Sequence, residues 1–284
     1  MRDAECVEFL QWALPRLRRR WQGFRKVRRQ LCRRIDRRLR ELGLSGPPAY
    51  REYLACTSAE WAALDALCPI TISSFYRDRA VFGFLAGSLL TQLAQAAAAQ
   101  GERTLRAWSI GCTSGEEPYS LMLAWRLCAQ PPLPGGLALR VLATDVDETV
   151  LERARTGCYA PSSLKQLPPS WLQEAFEPAE GVYCLRPRYR EGVDFLRQDI
   201  RDPLPQERFH LILCRNLVFT YFDEPTQREM LTRIARRLFP GGALVIGRRE
   251  SLPPGAALSP WPGAERLGIY QWRLTDDRTG APAI

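Results

Sequence analysis

Two glycines, four residues apart, stand where a chain could close around a ligand: Gly111-Cys-Thr-Ser-Gly115, followed at once by Glu116-Glu-Pro-Tyr119. The apolar run Ala107–Ile110 precedes them, which predicts a strand ending in this turn, and Pro118 suits the first turn of a helix. Glycine here either lets the backbone pass close to a ligand or only lets the chain turn; the spacing G-x-x-x-G, unlike G-x-G-x-x-G, leaves both roles open. A second apolar strand ends at Thr144-Asp145. A carboxylate there is placed to accept hydrogen bonds from both hydroxyls of an adenosine ribose. Equally, it could cap the helix that follows, since Asp147 comes two residues later. The separation from Gly111 to Asp145 exceeds the roughly 20 residues of dinucleotide folds, and the loop Pro131-Pro-Leu-Pro-Gly-Gly136 accounts for the excess. In Gln198-Asp-Ile-Arg-Asp202 a polar side chain could read an adenine amino group while Ile200 packs on the ring. The string Cys214-Arg-Asn216 follows a buried strand directly. All four clusters fall, in order, at the carboxyl ends of strands, where ligands sit in open α/β sheets.

The residue inventory excludes other chemistry. The one histidine is His210, inside the apolar run Phe209-His-Leu-Ile-Leu-Cys214, and reads as a buried strand residue. A Ser-His-Asp hydrolase or a multi-histidine metal site would need histidine elsewhere, so neither a metal site nor a histidine general base is expected. Nine cysteines, an odd number without any C-x-x-C pair, read as free thiols in a reducing compartment, hence a cytoplasmic protein.

Those clusters need elements to hold them. The 46% hydrophobic and 25% charged content is that of a globular chain. Apolar residues at 17, 21, 24, 27, 31, 35, 39 and 42 step by three or four, predicting one helix that Gly43, Gly46, Pro47 and Pro48 stop. Helical runs follow through Tyr50–Leu67 and from Arg79 to Gln100, so residues 1–100 form an all-helical domain. From 101 to 284 strands alternate with helices: Ala107–Ile110, a helix at Glu116–Cys128, Arg140–Thr144, a helix at Glu148–Thr156, His210–Leu213, a helix near Glu224–Phe239, Ala243–Ile246 and an edge strand Gly268–Leu274. This is the α/β pattern of a doubly wound sheet. Tyr183–Tyr189 and Val193–Arg197 flank Arg190-Glu-Gly192 and suggest a small hairpin inserted at about 180–197, while Thr275–Ile284 reads as a frayed tail. No uninterrupted apolar run reaches the length of a membrane span, and the first twenty residues lack a signal peptide's apolar core. Charge is concentrated: residues 1–40 hold fourteen Lys or Arg against four Asp or Glu, a net of +10, whereas the whole chain is +9. A polyanionic partner is expected at that segment, unless it is only a solvated arginine face.

The strings Trp108-Ser-Ile-Gly-Cys-Thr-Ser-Gly-Glu-Glu-Pro-Tyr119, Ala143-Thr-Asp-Val-Asp147 and Cys214-Arg-Asn216 with Tyr221-Phe-Asp223 closely resemble the CheR-type chemotaxis receptor methyltransferases of bacteria. Pro240-Gly-Gly242, Gly247 with Glu250-Ser-Leu252, and Ser74-Phe-Tyr-Arg-Asp78 continue the likeness over nearly the whole chain. The resemblance implies a helical domain joined to a Rossmann-like methyltransferase domain with a small inserted hairpin, and S-adenosyl-L-methionine as donor. It places cofactor contacts on Thr71, Ser73, Arg77, Gly111, Glu116, Asp145, Asp199, Ile200, Arg215 and Asn216. Four departures stand out: Thr71-Ile-Ser73 where the family has Asn-x-Thr, Asp199-Ile200 for Asn-Leu, Gly247-Arg-Arg-Glu250 for Gly-His-Ser-Glu, and one extra residue between Asn216 and Tyr221.

Methyl transfer from a sulfonium is an in-line displacement in which the enzyme mainly aligns nucleophile, methyl and sulfur. A glutamate acceptor, with a pKa near ~4.3, is ionised at neutral pH and needs no base, which suits a chain with a single histidine. The resemblance then makes Arg77 the residue that holds the acceptor carboxylate and Tyr221 the one that orients an oxygen. An acidic helical segment of a receptor or other protein is the expected partner. The rivals are a methyltransferase of the same fold with another acceptor, and a nucleic-acid-binding or regulatory module. Against the latter, no aromatic residues interleave with the arginines as a stacking platform, and no stable nucleic acid is expected.

Overall fold

The computed structural model describes residues 1–128 and 136–272; most of the loop Pro131–Gly136, the end of the predicted strand Gly268–Leu274 and the tail Thr275–Ile284 lie outside the described residues. Ten strands occur among the described residues: β1 (Thr104–Ile110), β2 (Ala138–Asp145), β3 (Cys158–Tyr159), β4 (Phe176–Ala179), β5 (Val182–Leu185), β6 (Val193–Arg197), β7 (Phe209–Cys214), β8 (Leu238–Ile246), β9 (Leu258–Pro260) and β10 (Ile269–Trp272). Seven form one sheet in the order β6-β2-β1-β7-β8-β10-β9. The first five run parallel, with Ala107 opposite both Val141 and Leu211, and β10 and β9 close the edge antiparallel. β7 is buried along its whole length and β1 nearly so, as continuous apolar runs between helices must be. The chain proceeds outward from β1 through β2 to β6 and resumes on the other side of β1 with β7 and β8. The strand order therefore reverses between β1 and β7, and the carboxyl ends of these strands are where open α/β sheets bind ligands.

The chain divides into two compact units: Met1–Thr71 with Leu217–Arg228, and Ile72–Asn216 with Glu229–Ile284. Periodicity alone puts the boundary near residue 100, but the helical stretch Arg79–Ala99 belongs with the sheet. Phe82, Leu85, Leu89, Leu90 and Leu93 on it share one buried core with Leu105, Leu121 and Leu211. It is the one described helix long and apolar enough to cross a membrane, and its apolar face lies in that core.

Four expectations are corrected. The inserted hairpin is β4–β5, turning at Gly181 in the left-handed region, and β5 also pairs with β3. β6 does not pair with β5; it extends the main sheet parallel to β2, after the short helix Pro187–Arg190. The alternation of apolar residues could not say which of two sheets each strand joins. The helix expected over Glu224–Phe239 ends at Ala235, because Leu238 already starts β8. Finally, the thiols are not all free: Cys6–Cys32 and Cys158–Cys184 are disulfides. Each pair is far apart in sequence, joined only because the helix Asp3–Ala13 meets Arg28–Glu41 and β3 faces β5, so spacing carried no signal.

In the first unit the predicted helix from residue 17 is broken. Arg18 takes a left-handed backbone, Arg19 bridges to Phe222, and a regular helix resumes at Arg28–Glu41. Leu31, Ile35 and Leu39 of that helix pack with Phe9, Leu10, Phe24, Tyr50, Leu54 and Leu64. Buried Glu60 joins the helices by accepting from Tyr50 Oη (2.7 Å) and Arg38, whose proximity holds the carboxyl below its ordinary range. Much of the arginine run is structural: Arg19 pairs with Asp65, Arg20 donates to Thr220 O, Arg34 to Leu67 O and Arg28 to Asp3. Arg25, Arg29, Arg33 and Arg37 remain exposed, the last three at helical spacing along one face.

Candidate functional site

The second unit gathers the clusters at the carboxyl edge of β1, β2, β6 and β7. After β1 the chain turns through Gly111 and Gly115, both left-handed, with the amides of Gly111 and Cys112 donating to Thr144 O. A Cβ at Gly115 would lie 2.9 Å from that of Ala154 and 3.1 Å from Tyr159 Oη, so only glycine fits the close approach. Asp145 ties this loop to the end of β2: its Oδ2 accepts from Thr113 N (3.0 Å) and its Oδ1 from Asp147 N (3.1 Å). The helix cap is Asp147, whose Oδ1 accepts from Thr149 N, so Asp145 is not spent as a cap. Burial pushes the Asp145 carboxyl up, and the amides around it work in the opposite direction. Glu116, also buried and also pushed up by desolvation, accepts from Thr113 Oγ1 (3.3 Å) and interacts with the Ser73 side chain. Acceptor oxygens beside a glycine turn at the switch point of the sheet are what an adenosine ligand would require.

At the end of β6, Gln198 N donates to Asp145 O. Ile200 is buried, and the Asp199 carboxylate is gripped by Arg201 through Nε and a terminal nitrogen. At the end of β7, Asn216 stands in the left-handed region (φ 56°), with its amide donating to Glu250 Oε2 (2.9 Å). Glu250 also accepts from Gly247 N, and a Cβ on Gly247 would meet Asn216 Nδ2 at 2.6 Å and Glu250 Oε2 at 2.7 Å. The Gly247–Glu250 turn thus brackets Asn216 from the neighbouring strand. The Arg248 and Arg249 side chains that depart from the family pattern are exposed.

Arg215 is tied into the protein at several points. Its side chain is buried and engaged by the protein itself, reaching Glu117 Oε2 (3.0 Å), Asp78 Oδ2 (2.6 Å) and Arg77 O (3.1 Å). Arg77 is half-buried and donates to Ile72 O (3.1 Å). Ser73, Arg77, Gly111, Glu116, Asp145, Asp199, Ile200, Arg215 and Asn216 all belong to the second unit, whereas Thr71 and Tyr221 belong to the first. There, Tyr221 packs its ring 4.8 Å from that of Phe24, and its carbonyl accepts from Arg20 N. His210 lies at the amino end of β7, opposite the site; its Nδ1 accepts from Arg106 N and burial lowers its pKa. Glu117, Ser120 and Asp78 received no site role from the sequence. The only signal for Glu117 was its place beside Glu116 at a helix start, where an acid is ordinary.

The comparisons with known proteins fit this geometry. The chain is 31% identical over 257 residues to a probable chemotaxis protein methyltransferase of Rhizobium etli, covering 88% of this chain and 92% of that one. It is 36% identical over 231 residues to the chemotaxis protein methyltransferase of Escherichia coli, covering 77% and 74%. It is also 33% identical over 224 residues to an uncharacterised 104.1 kDa protein of Rhodobacter capsulatus; that match covers 78% of this chain but only 23% of the longer relative. Residues 71–259 match the model described as the SAM binding domain of CheR methyltransferase. The chain belongs to the CheR family of S-adenosylmethionine-dependent methyltransferases.

Proposed function

We propose that this protein transfers a methyl group from S-adenosyl-L-methionine to glutamate side-chain carboxylates on an acidic helical segment of a receptor-type protein. The observation that carries the acceptor class is the lack of a histidine base at the site: the single histidine sits at the other end of β7. A carboxylate attacks the sulfonium methyl without losing a proton, so aligning groups suffice. The names of the Rhizobium and Escherichia relatives support a chemotaxis setting.

In this reading Asp145 holds the ribose hydroxyls, Gly111 lets the chain approach the donor, Glu116 with Ser73 lies toward its amino-acid end, and Asp199 with Ile200 meets the adenine. Asn216 orients the donor beside the reacting methyl, and Arg77 holds the acceptor carboxylate in a planar fork. The bound donor supplies the electrophilic methyl; the chain positions the nucleophile and excludes water. Exposed Arg25, Arg29, Arg33 and Arg37 draw in the acidic segment. The cytoplasm is the compartment of this reading.

The pH profile tests the acceptor class. With a carboxylate acceptor, kcat/KM for the acceptor stays level between about pH 6.5 and 9, because the nucleophile is already ionised throughout. A steady rise across that range would indicate an acceptor that must be deprotonated and would overturn the glutamate assignment.

A further inference from the structure

Arg77 sits between two residues whose backbones are unusual: Tyr76 at φ 55° and Asp78 at φ 64°, both left-handed and neither glycine. For a tyrosine this conformation persists only when the surroundings over-determine it. They do so at three points. First, Phe75 N donates to Ser163 O; second, Tyr76 N donates to Ser120 Oγ (2.9 Å), itself held by donating to Glu116 O (2.6 Å). The third point is Arg215. One terminal nitrogen reaches Asp78 Oδ2 and Arg77 O together, and the other reaches Glu117 Oε2. Glu117 is fixed in turn by Ser109 Oγ of β1 (2.8 Å). The guanidinium lies 5.4 Å from the centre of the Phe82 ring, its side chain is 2% exposed, and its Nε is buried without a partner. Asp78 is the residue before the helix beginning at Arg79, yet its carboxylate turns to Arg215 instead of capping that helix.

We infer that Arg215 is a positioning residue for Arg77: it clamps the Tyr76–Asp78 bend onto β1 and the helix Glu116–Cys128 and so sets where the Arg77 side chain stands. The inference rests on the proposed role of Arg77 and goes beyond it by naming what aims that residue. A buried arginine held in a fork by two carboxylates and a carbonyl fixes direction in a way that a lysine's point charge does not. Because Asn216 is the next residue, one dipeptide fixes both Arg77 and the Asn216 backbone at the same edge of the sheet.

The test uses the full chain with S-adenosylmethionine and an acidic receptor helix as acceptor, comparing Arg215→Lys, Asp78→Asn and Arg77→Ala singly and in pairs. Asp78 is the more exposed partner, so Asp78→Asn keeps a folded reference if Arg215→Lys does not fold. We expect Asp78→Asn and Arg215→Lys to lower kcat by at least tenfold and to change affinity for S-adenosylhomocysteine by no more than Arg77→Ala does. In the Arg77→Ala background neither should lower it further. Hydrogen exchange in the ligand-free protein should quicken at residues 75–82 and stay unchanged in β8. Normal kcat and unchanged exchange in folded Asp78→Asn would overturn the inference, as would losses that multiply with that of Arg77→Ala. Full activity of Arg77→Ala itself would instead remove the reading on which the inference rests.

Discussion

Asp145 is the residue on which the cofactor reading can be tested most quantitatively. The residue is 8% exposed, and its carboxylate accepts from Thr113 N and Asp147 N, one on each oxygen. A carboxylate offers about four acceptor positions, so each oxygen keeps capacity for a ligand hydroxyl. A hydrogen bond to an ionised group contributes about 1.5–3 kcal/mol, so losing even one weakens binding by roughly 10- to 100-fold. Asp145→Asn is the sharper substitution, because it keeps one carbonyl acceptor for the loop amides and removes the charge. Calorimetry with S-adenosylhomocysteine at neutral pH reads the loss directly. The pH dependence adds a second check. Burial raises the folded-state pKa of Asp145 above that of the unfolded chain, so the folded protein takes up the proton more readily. The ionised carboxylate therefore costs stability at neutral pH, a cost relieved as pH falls through the raised value, and ligand affinity falls over the same window. Glu116 is raised in the same direction, so Asp145→Asn should flatten this acid dependence without abolishing it. Wild-type affinity in folded Asp145→Asn would refute the ribose assignment.

Glu250→Ala leaves the Asn216 and Gly247 amides without their acceptor, at about 1–3 kcal/mol for each buried group; the melting temperature should drop by several degrees and turnover should fall, and an unchanged melting curve would show that the turn holds without it. Reversing the charges of Arg25, Arg29 and Arg33 should raise KM for an acidic acceptor and leave donor affinity intact, with the effect shrinking as salt screens charges over ~8 Å at physiological ionic strength. If the same variant instead loses salt-dependent binding to RNA or DNA in a filter assay, the arginine face serves a nucleic acid.

What was legible in the sequence follows from what is local. The glycine turn, Asp145 at a strand end and Cys214-Arg-Asn216 each follow an apolar run directly, so their place at the carboxyl edge could be read from periodicity. Local pattern also suffices for β1, β2, β7 and the helices after β1 and β2. The partners of those residues were hidden, because they depend on which strands become neighbours. Glu250 reaches Asn216 only once β8 lies beside β7, and Arg215 finds Asp78 only when the bend before Arg79 packs against the sheet. The same reason explains the misread hairpin, since β5 and β6 are both short and apolar in alternation but join different sheets. It also explains the disulfides, whose cysteines meet only through tertiary contacts.

The most direct test of the central claim is the chemistry of the product. The protein is incubated with S-adenosylmethionine labelled in the methyl group and a purified receptor helical segment carrying glutamates. Carboxyl methylation predicts label on that segment which mild base releases as methanol, and no label when its glutamates are replaced by alanine. Label that resists base, or that persists without the glutamates, would place the methyl on another kind of atom and contradict the account.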